Sequence, residues 1–114
     1  MRIHVEKVGD VCILRLRGKL AVGGGDRELK DAVCRLLGDG ERKLLLNMQE
    51  LAFVDSAGLG ETVACKKRAL EKGADVWLVV GSGGKPEEVL VLTWLDRIFK
   101  IFPSEEEALA GYAS

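Results

Sequence analysis

The sequence predicts an α/β domain that opens with a β-hairpin and continues with alternating helices and strands. Two observations predict this class. Short apolar runs of strand length alternate with segments whose apolar residues recur every three or four positions. Glycines or glycine-rich stretches mark most of the boundaries between these segments. The predicted order is β-β-α-β-α-β-α-β-α, with a mixed, mostly parallel sheet of about five strands and about four helices.

Length and composition are those of one globular domain, which we expect to cover residues 1–114. Of the 114 residues, 47% are hydrophobic and 31% are charged, so the composition is not that of a disordered chain. The formal net charge of −1 argues against a broad nucleic-acid-binding surface. The sequence contains no apolar stretch of signal-peptide or membrane-span length. We therefore expect a cytoplasmic protein with no direct membrane insertion.

The first half of the chain predicts a hairpin, a helix and a strand. Apolar residues alternate over 3–8, and a run rich in apolar residues follows over 11–17, with the turn-forming pair Gly9–Asp10 between them. Glycines 23–25 predict a flexible loop, and Asp26 is a candidate N-cap for a helix that ends near Gly38. Residues 43–48 predict a strand that is buried on both faces.

The second half predicts the remaining helices and strands. Gly73 is placed to end a helix, Pro86 to begin one, and Ser104 with Glu107 to form a capping box. The predicted elements are a helix from Asp55–Ser56 to about Lys72, a strand over 75–80, a helix over 86–93, a short strand over 98–102, and a C-terminal helix ending near Gly111.

Cofactor and metal motifs fail on spacing. Glu28 stands where a dinucleotide-binding loop needs glycine, and Pro86 stands where a Walker A loop needs serine or threonine. One histidine and three separated cysteines offer no metal-ligand spacing. We expect no cofactor and no metal, and we interpret Cys12, Cys34 and Cys65 as buried free thiols in a reducing compartment.

The segment over 51–60 predicts a strand, a turn and the first turn of a helix. Asp55 and Ser56 are both residue types that cap helix N-termini. Gly58 and Gly60 need an explanation, because glycine costs about 1 kcal/mol relative to alanine inside a helix. Another backbone could approach them closely, either from this domain or from a partner. Alternatively, the glycines let the helix pack on the sheet and Ser56 only caps it.

Residues 53–60, Phe-Val-Asp-Ser-Ala-Gly-Leu-Gly, resemble the signature of STAS domains, and most closely that of bacterial anti-sigma factor antagonists. The resemblance extends over almost the whole chain. Its further matches are Gly18–Leu20, Leu44–Asn47 followed by Leu51, Leu95–Phe99, and Phe102 with the run Ser104–Leu109.

The resemblance implies that the protein is a regulatory switch and not an enzyme. In such proteins, a partner that is both an anti-sigma factor and a serine kinase phosphorylates the first serine after the aspartate, which is Ser56 here. The unphosphorylated domain binds that partner and so frees the sigma factor, and a cognate phosphatase reverses the modification. The implied partner-binding residues are Leu20, Ala21, Asp55, Ala57, Gly58, Leu59 and Gly60. The oligomeric state stays open.

Some positions depart from the family pattern. Ala21 stands where the family usually has aspartate, Ala57 replaces a second serine, and glycines 23–25 replace more polar residues. These departures motivate an alternative, a STAS adaptor that does not switch, such as a scaffold in a sensory complex or the small subunit of a lipid transporter. A pocket for a small molecule between the 18–25 loop and the 55–60 turn is a third reading.

A hydrolase using Ser56 is the weakest of the alternatives. Val54 replaces the first glycine of the nucleophile elbow, and His4, the one histidine, lies on the first predicted strand.

Overall fold

The computed structural model describes residues 1–81 and 95–114. Within them a five-stranded sheet carries helices on both of its faces. The elements are β1 (Arg2–Val8), β2 (Val11–Leu20), α1 (Gly25–Gly38), β3 (Lys43–Val54), α2 (Ser56–Glu71), β4 (Asp75–Val79), a 3-10 turn (Leu95–Arg97), β5 (Ile101–Phe102) and α3 (Glu105–Ala113).

The sheet has the strand order β1-β2-β3-β4-β5 and is mixed. The expectation of a mostly parallel sheet is wrong. Strand β1 pairs antiparallel with β2 along its full length, and the parallel pair of β4 with β5 extends over only two positions. The remaining pairings, β2–β3 and β3–β4, are parallel. The described residues form three α-helices instead of about four, and the helix predicted over 86–93 lies outside them.

Each face of the sheet packs against its own helices. Alternate residues of the central strands point to opposite sides, as the pleat requires. Leu14 and Leu46 belong to the core that α1 and α2 cover, whereas Ile13 and Leu45 belong to the core that α3 covers. The start of β3 is therefore buried on both faces, which confirms the prediction for residues 43–48.

An aromatic stack, a hydrogen bond and an ion pair fix the C-terminal helix to the sheet. The rings of Trp77 and Tyr112 stack with their centroids 3.7 Å apart, and the Tyr112 hydroxyl donates to the Leu44 carbonyl oxygen at 2.8 Å. Arg15 donates to both carboxylate oxygens of Glu105, at 2.8 and 2.9 Å. Ser104 is confirmed as the N-cap, since its hydroxyl accepts from the Glu107 backbone N–H, and the Glu107 carboxylate accepts from that hydroxyl and not, as a capping box requires, from the Ser104 N–H.

Three local predictions need correction. Strand β2 runs to Leu20 instead of ending before Gly18, because its pairing with β3 continues to that residue. Helix α1 begins at Gly25 after Gly24, so Asp26 lies inside the first turn and is not the N-cap. Cys12 and Cys65 are buried, but Cys34 is exposed on α1. None of the described helices combines the length and the apolar character that a membrane span needs.

Candidate functional site

The site forms where β2 and β3 end side by side, and two β-bulges shape this end. Between the pairs Arg15–Asn47 and Arg17–Glu50, β3 contains one residue more than β2. A second extra residue of β3 lies between the pairs Gly18–Leu51 and Lys19–Phe53. Bulges bend a strand and change the direction of its side chains, and they often occur beside functional sites. Their combined effect brings Leu20 opposite Val54, directly before the turn into α2.

The first turns of α1 and α2 both press against the end of β2. A Cβ atom added at Gly58 would lie 2.8 Å from the carbonyl carbon of Leu20 and 2.9 Å from its Cγ. A Cβ atom at Gly25 would lie 3.0 Å from the Leu20 Cα and would also meet the Lys19 carbonyl oxygen. The close approach that the glycines of the 51–60 segment suggested comes, at Gly58, from within the domain. Gly25 belongs to this packed arrangement and not to a flexible loop.

Asp55 ties three segments together at this end of the sheet. Its backbone is extended at the N-cap of α2, and one carboxylate oxygen accepts from the Gly58 N–H at 2.8 Å. The other carboxylate oxygen accepts from the Val22 N–H at 3.0 Å, and the Asp55 N–H donates to the Leu20 carbonyl at 3.3 Å. The hydrogen bonds from Val22 and then Gly58 lower the pKa of the Asp55 carboxyl below its usual value.

Ser56 is exposed and is the first residue of α2. Asp55 takes the N-cap position, so the alternative in which Ser56 serves as the cap is wrong. The Ser56 hydroxyl makes no hydrogen bond to another described residue. Ser56 lies at the positive end of the α2 dipole, next to the Asp55 carboxylate that caps the helix.

The other residues predicted to bind a partner divide by burial. Leu20 is fully buried, Leu59 is 8% exposed, and Gly58 is buried, so these three residues lie beneath the surface of the site. Gly60 is exposed, with open space around its Cα. The half-buried members of the set are Ala21, Asp55 and Ala57.

Two exposed apolar residues beside Ser56 were missed by sequence reasoning. Val22 is 72% exposed on the loop that Asp55 holds, and Phe53 is 49% exposed three residues before Ser56. Aromatic side chains are enriched at protein interfaces relative to the rest of the surface. The alternation of side chains along β3 gave no signal for Phe53, because the bulges that interrupt this alternation are not visible in the sequence.

The structure also locates His4 relative to Ser56. His4 lies on β1 opposite Arg15, whereas Ser56 follows β3, two strands away in the sheet. His4 is therefore not placed to act as the general base that a serine hydrolase needs beside its nucleophile.

The family to which the chain belongs follows from a comparison over most of its length. The model of the STAS domain family matches residues 2–108. The chain belongs to the STAS family. A relative from Thermotoga maritima, with the provisional name anti-sigma factor antagonist, is 32% identical over 102 residues, which is 90% of this chain and 89% of the relative.

Solved structures show the same fold. The crystal structure of an anti-sigma factor antagonist from Thermotoga maritima, also provisionally named, superposes with a TM-score of 0.84 at 29% identity, covering 98% of this chain and 95% of that one. The phosphorylated form of the Bacillus cell fate determinant SpoIIAA superposes with a TM-score of 0.69 at 21% identity, covering 97% and 99% of the two chains. At that identity, the likeness to SpoIIAA concerns the fold alone.

In this STAS domain, the end of β3 offers an exposed hydroxyl on a rigid support. Ser56 is exposed, while the hydrogen bond from the Gly58 N–H to the Asp55 carboxylate holds the turn in place.

Proposed function

We propose that this STAS domain is an anti-sigma factor antagonist whose binding is switched by phosphorylation of Ser56. The unphosphorylated domain binds an anti-sigma factor that is also a serine kinase, and the sigma factor is released. Phosphorylation by that partner ends the binding, and a phosphatase restores it. The observation that carries the proposal is the position of Ser56, which is exposed at the start of α2 beside an aspartate that is already bound to the backbone.

The charges of the turn support a switch that acts at the interface and leaves the fold intact. A phosphate adds about −1.5 to −2 charges near neutral pH, and a helix N-terminus can accommodate part of that charge. Asp55 has a lowered pKa, so it is also ionised at neutral pH. Two adjacent anionic groups would then face a docked partner. Each 1.4 kcal/mol of lost binding free energy weakens affinity about tenfold.

The accessible part of the site suggests how the partner is held. We define the switch surface as Ala21, Val22, Phe53, Ser56 and Gly60. Its centre combines the exposed apolar side chains of Val22 and Phe53 with the hydroxyl that receives the phosphate. Apolar anchors around a small polar group are common at the centre of protein interfaces.

The relatives support the same proposal. The Thermotoga maritima relative carries the name anti-sigma factor antagonist, and it aligns with nine-tenths of this chain. A phosphorylated form is known for SpoIIAA, which shares the fold. These are properties of those proteins, and their transfer to Ser56 is the step that the experiment must test.

The experiment is affinity purification from the native cell with four baits, read by mass spectrometry. The baits are the wild type, Ser56→Ala, Ser56→Asp and the control Ser104→Asp, which places a carboxylate at the start of α3 instead of α2. We expect a kinase-like partner to bind every bait except Ser56→Asp. Recovery of one partner by all four baits would support the non-switching adaptor and would contradict the switch.

A further inference from the structure

Near the switch surface, the sheet face that α3 packs against carries exposed cationic side chains. The contacts of α3 along β2 reach Arg15, which donates to a carboxylate of that helix. Further along β2, Leu16 and Leu20 point into the core beneath α1 and α2. Arg17 and Lys19 alternate with them, so both point to the face of α3, and both are exposed.

The neighbouring strands bring a third cation and an aromatic ring to the same place. Arg2 of β1 pairs directly with Arg17, and Phe53 of β3 pairs directly with Lys19. The Cβ atoms of opposite residues in an antiparallel pair lie about 5 Å apart, and two residues along a strand are separated by about 7 Å. We define the basic face as Arg2, Arg17, Lys19 and Phe53.

The positive charge of the basic face is only partly neutralised within the chain. Arg17 contacts Glu50 at 3.5 Å, but the two side chains are 71% and 69% exposed, and such pairs contribute little. Arg2 and Lys19 are exposed and form no ion pair with another described residue. Three cations therefore face one carboxylate. Arg15, the next cation along β2, binds two carboxylates of its own and adds no free charge.

The pairing of Arg2 with Arg17 is unfavourable in the free chain, because like charges directly opposite each other destabilise a sheet. The surface is concave at this pair, and its lining includes Arg2, Arg17 and Glu50. A carboxylate bound between the two guanidinium groups would remove their repulsion and accept hydrogen bonds from both. An anionic ligand thus relieves a contact that the chain otherwise keeps at a cost in stability.

We propose that the basic face binds an acidic, extended segment of the anti-sigma factor partner, with carboxylates at alternate positions. Alternate side chains of an extended segment are about 7 Å apart, which matches the spacing of Arg17 and Lys19 along β2. Arg2 stands beside Arg17 and reaches the same carboxylate. The proposal rests on the proposed function for the identity of the partner and names the chemistry that the partner brings.

The number of cations favours a protein segment over a membrane or a nucleic acid. Clusters that bind anionic lipids usually contain about four to eight basic residues, and DNA-binding proteins commonly contact about 6–10 phosphates. The basic face has three cations, and the whole chain has a net charge of −1. Phe53, which is 49% exposed, adds an aromatic contact of the kind that is enriched at protein interfaces.

An acidic partner segment also explains why a phosphate on Ser56 would end the binding. Phe53 belongs to both the basic face and the switch surface, and it precedes Ser56 by three residues. A segment that lies along Lys19 and Phe53 brings its carboxylates towards the phosphate, and like charges repel. A basic segment in the same place would be attracted, and phosphorylation would strengthen its binding.

Two synthetic peptides test the chemistry of the ligand. One has glutamate at alternate positions separated by serine, and the other has lysine at those positions. Each is titrated into the isotope-labelled chain while NMR chemical shifts are recorded. We expect only the glutamate peptide to shift the amide signals of the basic face, and we expect its binding to weaken as salt is added.

Charge reversal on the basic face tests the same contact, with a control that changes the net charge equally. Arg17→Glu with Lys19→Glu should raise the dissociation constant of the glutamate peptide by roughly tenfold or more. The control is Lys30→Glu with Lys67→Glu, at exposed positions of α1 and α2, and it should bind as the wild type does. Circular dichroism shows whether both double variants are folded.

Calorimetry with the partner that the wild-type bait captures separates this inference from the proposed function. We expect Arg17→Glu with Lys19→Glu to weaken binding of the partner by roughly tenfold or more, and the control to leave it unchanged. If only Ser56→Asp weakened binding, the basic face would be excluded and the switch would stand. If only the charge reversal weakened binding, the switch would be excluded and the basic face would stand.

Three results with the probes would overturn the inference. The first is a wild type whose signals do not move with the glutamate peptide at millimolar concentration. The second is an equal response to the lysine peptide. The third is tighter binding to phosphatidylglycerol vesicles or to a single-stranded oligonucleotide than to the glutamate peptide, which would assign the face to a membrane or to a nucleic acid.

Discussion

Replacing Gly58 by alanine adds a methyl group where the end of β2 already lies. The new Cβ atom would lie 2.8 and 2.9 Å from two carbon atoms of Leu20, and it would also meet the Leu20 carbonyl oxygen. Leu20 cannot move freely, because it is fully buried and its carbonyl accepts from the Asp55 N–H. The substitution therefore tests whether the first turn of α2 is closed against β2.

Gly60 supplies a matched control two residues along the same helix. A Cβ atom at Gly60 meets nothing within 4 Å, so Gly60→Ala keeps only the gain in helix propensity, up to about 1 kcal/mol. Gly58→Ala has a similar gain but adds overpacking, which costs about 1–3 kcal/mol in well-packed sites. The difference between the two variants isolates that steric cost, and it corresponds to roughly 4 °C in melting temperature per kcal/mol.

Urea unfolding followed by circular dichroism measures both variants under the same conditions. We expect the midpoint of Gly60→Ala to equal or exceed that of the wild type and the midpoint of Gly58→Ala to lie below both. If Gly58→Ala were as stable as Gly60→Ala, the packing of α2 on Leu20 would be refuted.

Two further predictions concern the pH dependence of stability. Arg15 and Asn47 lower the pKa of Glu105, so the free energy of unfolding falls as acid protonates that carboxyl, and Glu105→Gln should flatten the fall in urea titrations below pH 4.5. A slope that Glu105→Gln leaves unchanged would contradict this assignment. Burial raises the pKa of Tyr112 above its usual 10.0, so stability is present below pH 10 and falls as the pH rises further. Tyr112→Phe should lose the bond to Leu44 but show a weaker alkaline fall, and an alkaline melting curve parallel to the wild type would exclude Tyr112 as its cause.

The sequence predicted the elements whose signals are local. The alternation on either side of Gly9–Asp10 predicted the hairpin, and the apolar run over 43–48 predicted a strand buried on both faces. The capping box of Ser104 and Glu107 predicted the start of α3. In each case a few neighbouring residues determine the local backbone conformation, so the element can be predicted without knowledge of the rest of the fold.

The geometry of the site depends on contacts that the sequence does not show. Ser56 and Asp55 could be named from their motif, but the packing of Gly58 on Leu20 depends on two bulges in the pairing of β2 with β3. The same bulges leave Phe53 exposed, where a regular pattern gives no reason to expect a surface aromatic side chain. Residues that meet only through the pairing of distant strands are invisible to local patterns.

The central claim is that phosphate on Ser56 controls binding of the partner. The most direct test incubates the chain with the partner that the wild-type bait captures and with ATP, locates the phosphate by mass spectrometry, and then measures the affinity of both forms by calorimetry. The account predicts phosphate on Ser56 and binding weakened by about a hundredfold, or about 2.8 kcal/mol. Equal affinity of the two forms, or phosphate on another residue, would contradict the account.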